Sequence, residues 1–191
     1  MSGDGEGQVP SPAPVPGEER AVSPALARLR GTLMEHREFL LILGLFLAFR
    51  LMFVLAVRPG GYLGVMTTFH YYHLLQSLAN QGYVPLVDFW VEYPPLMPWL
   101  LWGIYRLSLL IPAWTEPGAW YLMLLGTAFA LFEAGNLVLF YGIGRRLHGR
   151  PAALRLAWIY GALFIPVVTL LNTFDNAVLF FLLWVVLLTI D

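Results

Sequence analysis

Apolar residues in this chain fall into long blocks, and the blocks begin only after a polar leader. Residues 1–30 hold five prolines with Gly, Ser and Glu and almost no aromatic or large aliphatic side chain. Such a segment cannot offset its ordering entropy by burial, so a disordered tail is expected through residue 38. The first block, Phe39 to Val57, has 19 residues with one charge in it, about 28 Å of helix at roughly 1.5 Å per residue. That nearly matches a bilayer core of about 30 Å. A secretory signal would place a shorter apolar core nearer the start and end it in small residues. The block therefore reads as an uncleaved signal-anchor. Arg28, Arg30 and Arg37 stand just before it, which by the positive-inside rule puts the N-terminus in the cytoplasm.

Behind the first block the pattern changes. From Thr67 to Asn80, Phe69, Tyr72, Leu75 and Leu78 or Ala79 make one helical face, and His70, His73, Ser77 and Asn80 the other. That periodicity predicts an amphipathic interfacial helix, too polar to span. Thr67 or Thr68 suits its cap and Gly82 its stop. The following VPLVDFWVEYPP reads as extended chain, because each Pro disfavours helix in its predecessor. Four further apolar segments follow, Leu96–Ile111, Ala119–Tyr141, Ala152–Leu171 and Ala177–Ile190. Simple alternation would put GRRLHGR, with Arg145, Arg146 and Arg150, on the outer side, against the positive-inside rule. The conflict vanishes if Leu96–Ile111, which is short, flanked by prolines and carries Arg106, is interfacial or re-entrant. Then residues 58–95 form an outer loop, GRRLHGR is cytoplasmic and NTFDN (172–176) faces out. The expected fold is an all-α integral membrane protein, a multi-span helical bundle in the plasma (inner) membrane.

Composition sharpens this picture. Apolar residues make up 59% of the chain and charged ones 12%, against about 25% charged in a soluble domain. Lipid supplies the environment that the missing polar surface cannot, so the bilayer is the first partner. The net charge of −1 offers nothing to nucleic acid. With no cysteine, disulfide frameworks and thiolate metal sites are excluded.

Against so apolar a background a few residues carry candidate chemistry. Arg50 and Glu133 lie near the middle of two spans, at similar depth and with opposite sign. An ionised side chain there costs roughly 2.5–3.5 kcal/mol on insertion scales. A structural ion pair is the expectation, with Asn136 one turn from Glu133; a substrate or ion path is the alternative. His70 and His73 are one turn apart, but spacing fixes no third ligand, so no metal site is assigned. Tyr71, Tyr72, Trp90, Tyr93, Trp99 and Trp102 fit an aromatic belt. Asp88 and Glu92 flank two aromatics in a loop between membrane elements. Acids four apart could activate an acceptor hydroxyl or bind a divalent cation, the one cofactor the residues point to. A solvated loop would also contain acids, and composition leaves the two readings level.

The stretch TTFHYYHLLQSLANQGYVPLVDFWVEYPPL, Thr67 to Leu96, following one span and a basic cytoplasmic tail, resembles the first outer loop of the GT-C superfamily of membrane glycosyltransferases. Bacterial polyprenol-phosphate-sugar-dependent mannosyltransferases are the nearest likeness. The resemblance runs more loosely through GRRLHG and NTFDN, about 150 residues in all, and the YPP loop is its most specific part. It implies sugar transfer from a polyprenol-phosphate donor at the outer face. Asp88 and Glu92 match the loop's acids as catalytic candidates; His70, Tyr72 and Tyr93 stand on its substrate side. Arg58 and Arg106 are nearest for the donor phosphate. Thr67 or Thr68 stands where the family usually carries a further acid at the start of the amphipathic helix. Family chains are commonly longer, with more spans, so these residues are expected to be an N-terminal portion. The contrasting expectation is a non-enzymatic or degenerate membrane protein; a transporter rests on Arg50 and Glu133 alone. Donor sugar and acceptor are not legible.

Overall fold

The computed structural model describes residues 24–56, 66–112, 118–163 and 175–190, and of residues 24–27, 29 and 66–71 the backbone only. Among them are seven α-helices and no strand. The chain divides into two units, Met1–His36 and Arg37–Asp191. In the first, α1 spans Pro24–Glu35, where a disordered tail through residue 38 was expected. The reason is local. Pro24 pre-sets φ for a first helical turn, and Ala, Leu, Arg and Met behind it are strong helix formers.

In the second unit, α2 spans Arg37–Ala56, α3 Met66–Asn80, α4 Leu96–Ser108, α5 Ala119–His148, α6 Arg150–Ala162 and α7 Asp175–Thr189. Helix α5 has 30 residues, about 45 Å, and outruns its apolar block because Leu147 and the arginines continue a helix readily. It stops at Gly149, whose φ of 77° admits the turn, and Pro151 starts α6 at once. Helix α6 ends at Ala162, short of the Leu171 expected from hydropathy. Pro166 removes an amide and its ring would meet the carbonyl of residue 162. Helix α4 has 13 residues, about 20 Å, which is short of a bilayer core.

Helix α5 is the axis: α2, α4, α6 and α7 all pack on it, α3 packs on α4, and α2 touches α6. The core lies in two blocks along this axis. Val54, Tyr72, Met97, Leu101, Tyr121, Leu125 and Phe129 fill one. Phe39, Ile42, Phe46, Leu137, Tyr141, Ala153 and Ala157 fill the other. The outward faces are apolar as well: Leu41 and Leu55 on α2 are 61% and 64% exposed, and Leu182 and Leu188 on α7 are 59% and 63% exposed. Helices α2 and α5 are long and apolar enough to cross a membrane.

Candidate functional site

The chain leaves α3 through Gly82, whose φ of 101° lets the Tyr83 amide reach back to the Leu78 carbonyl. It then ties a knot. The Val84 amide donates to Asp88 Oδ2 at 2.7 Å, the Asp88 amide donates to the Val84 carbonyl at 2.9 Å, and the Leu86 amide to the Phe89 carbonyl at 2.9 Å. Pro85 and Phe89 form an isolated bridge, so the segment expected to be extended is bent on itself. Leu86 pays for the bend with a φ of 68°, a left-handed conformation worth about 1–2 kcal/mol of strain outside glycine. Asp88 is thus a structural brace, with one carboxylate oxygen committed to a backbone amide.

Glu92 is placed differently. It is exposed, and its carboxylate interacts with the Tyr93 hydroxyl, which also interacts with Tyr72. The Tyr72 and Tyr93 rings meet edge to face at 5.7 Å. Burial pushes the Tyr72 phenol far above its ordinary value, and the hydrogen bond with Tyr93 adds to the rise. Burial also raises Tyr93, with Glu92 contributing. Both phenols therefore stay protonated and able to donate at neutral pH. Asp175, in the first turn of α7, acts electrostatically on both. An exposed carboxylate and two phenols thus interact here, within the field of Asp175 on α7. Beside them, an apolar cleft of about 70 Å³ runs between Pro94, Leu96, Met97, Phe132, Ala177 and Phe181.

Of the other loop candidates, Arg106 donates to Asn80 Oδ1 at 2.9 Å and lies over Trp102; that contact ties α4 to the end of α3. His73 packs edge-on to Tyr105 and Tyr121 at 5.4 and 5.8 Å. No group of three or more His, Asp or Glu side chains that could hold a metal ion occurs among the described residues. The side chains of Thr67, Thr68 and His70, and Arg58 and Asn172 altogether, lie outside the described residues.

The Arg50–Glu133 pair forms. Nε of Arg50 meets Glu133 Oε2 at 3.1 Å, with side chains 1% and 0% exposed. Nη2 of Arg50 donates to the Leu163 carbonyl at 3.4 Å, and the guanidinium lies 3.8 Å from the Phe46 ring centroid. Asn136 Nδ2 donates to the Asn176 carbonyl at 2.9 Å, and the Asn176 amide approaches the Glu133 carboxylate. Tyr160 interacts with Asn136 as well. Four helices thus meet at one polar layer between the two apolar core blocks. Asn176 is consequently level with the middle of α5, beside the polar layer where α7 starts. Residues 172–174 of NTFDN, expected to face out, lie outside the described residues. An open cleft of about 130 Å³ between α2 and α6, lined by Ile42, Phe46, Phe49, Trp158 and Gly161, reaches Arg50.

Asp175, Asn176 and Tyr160 were not singled out by sequence. The signal was available only as a polar interruption, NTFDN, which also reads as an ordinary turn. Compared with protein-family models, curated proteins and solved structures, the chain matches none. The chemistry of the site must be argued from its geometry.

Proposed function

We propose that this chain is a multi-span membrane protein of the plasma membrane, and that it carries the acid loop of a GT-C-like glycosyltransferase using a polyprenol-phosphate sugar. Charge distribution supports the orientation. Arg150 pairs with Glu38 at 3.4 Å and Arg146 donates to the Leu187 carbonyl at 3.1 Å. The start of α2, the α5–α6 turn and the end of α7 therefore share one arginine-rich end, which the positive-inside rule makes cytoplasmic. The acid loop packs toward the opposite end of α5, through Tyr72, Leu101 and Tyr121.

The observation that carries the catalytic reading is the Glu92–Tyr93–Tyr72 arrangement. Glu92 is solvent-facing, where a general base can reach an acceptor hydroxyl, and it interacts with the Tyr93 phenol. In the proposed step the acceptor hydroxyl gives its proton to Glu92. Its oxygen bonds to the anomeric carbon, and the bond from that carbon to phosphate breaks, the electron pair leaving with the polyprenol phosphate. The apolar cleft bounded by Leu96, Phe132 and Phe181 suits the first units of a polyprenyl chain. The test is sugar transfer by the protein in liposomes containing polyprenol-phosphate sugar. Glu92→Gln is expected to lower the rate by at least ~10²-fold, the usual minimum for a general base, without loss of folded protein. Transfer that is undiminished in Glu92→Gln refutes the assignment, and absence of transfer refutes the enzyme. The brace formed by Asp88 favours a second reading, in which the loop is a structural element of a non-enzymatic membrane protein.

A further inference from the structure

The segment 84–92, bent by the knot at 84–89, does more than hold two acids, and what it displays has no use inside the protein. Its two inward residues, Pro85 and Val91, are buried. Its outward ones are large and apolar: Val87 is 78% exposed and Trp90 82% exposed, the two most exposed such positions on the loop. Asp88, between them, is exposed, but one oxygen of its carboxylate is turned back to accept from the Val84 amide. Four hydrogen bonds and a left-handed Leu86 keep that display rigid. Strain of this kind persists only where the surroundings over-determine it, and it marks segments with a task.

We propose that the knot is a membrane wedge, which sinks Val87 and Trp90 into the outer headgroup layer and so fixes the height of Glu92 above the lipid. The occupant is lipid because the exposed apolar tip is followed along the chain by further exposed apolar and aromatic side chains. Just past the loop, Leu96 and Trp99 on α4 are 62% and 45% exposed, and Trp99 stacks edge-on with Trp102 at 6.0 Å. Tryptophan is enriched at the level where apolar and wet surroundings meet. A rigid tip loses little conformational freedom on entry, whereas a flexible loop would lose more. The wedge rests on the bilayer reading above and adds to it a fixed depth for the acid loop.

The test uses single cysteines in the cysteine-free chain, each carrying an environment-sensitive fluorophore, in liposomes. Val87→Cys and Trp90→Cys are the wedge positions, and Leu45→Cys on α2 and Leu182→Cys on α7 the controls. Wedge labels are expected to emit blue-shifted, to be quenched by lipids carrying a quencher near the headgroup, and to resist aqueous iodide. In Asp88→Ala, which removes the brace, they are expected to shift back towards water-like emission. Wedge labels quenched by iodide while the control labels are quenched by lipid overturn the wedge and leave the bilayer reading standing. Control labels that are also open to iodide overturn both. Depth unchanged by Asp88→Ala overturns the role of the knot.

Discussion

Removing either partner of the Arg50–Glu133 pair strands a charge in the driest part of the bundle. The contact is 3.1 Å and neither side chain is more than 1% exposed, so a partner left alone there is poorly solvated, Arg50 least so because the α2–α6 cleft reaches it. Breaking such a pair from one side typically costs about 3–5 kcal/mol. Glu133→Gln keeps shape and volume and deletes only the charge. Arg50→Leu also strips the Leu163 carbonyl of its donor, so it is expected to be the more damaging. The double variant leaves no stranded charge and should recover roughly 2–3 kcal/mol relative to the sum of the singles, the upper range for coupled neighbours. In a chain of 191 residues, each kcal/mol moves Tm by about 2–4 °C. Single variants should therefore fall by ~10 °C, and the double should lie well above the additive value. The assay is thermal loss of monodisperse protein in mild detergent, followed by size exclusion. Being buried, the coupling should not respond to salt. Additive losses, or a coupling that disappears at high salt, would refute a buried pair.

Other outcomes follow from single contacts. Asp88→Asn keeps an oxygen for the Val84 amide and should leave the loop as protease-resistant as the parent, while Asp88→Ala should open it to cleavage in limited proteolysis. A Cβ on Gly135 would come within 2.6 Å of the Phe180 ring, so Gly135→Ala should cost the ~1–3 kcal/mol of stability typical of overpacking, read as a lower Tm, and Phe180→Leu should restore part of it. His148→Cys should resist an impermeant thiol reagent on intact cells and react after permeabilisation; labelling from outside would invert the topology. Neutralising the exposed Arg150–Glu38 pair should leave Tm within experimental error, since exposed pairs contribute little.

The elements of this chain were largely legible because their causes are local. An apolar block of 19 residues can only be a helix in lipid or a buried core, and Arg50 and Glu133, each a lone ion in an apolar run, have each other as the economical partner. Even so, hydropathy overran α6 by ignoring the effect of Pro166 on the carbonyl of residue 162, and it discounted the helix propensity of Pro24–Glu35. The site was less legible. Asp88 and Glu92 look equivalent four residues apart, yet one braces Val84 and the other faces solvent beside Tyr93, a difference made by the backbone reversal at Leu86. The contacts of Arg50 with Glu133 and Leu163 cross 83 and 113 residues, and Asn136 reaches Asn176 across 40. Such partners are chosen by where helices cross and how far each one extends, and no periodicity within a segment records that. Sequence by itself determined which stretches are helical and which charges needed a partner; tertiary packing decided that Asn176 and Tyr160 come to them, because burying polar groups among apolar helices forces them to meet at one level.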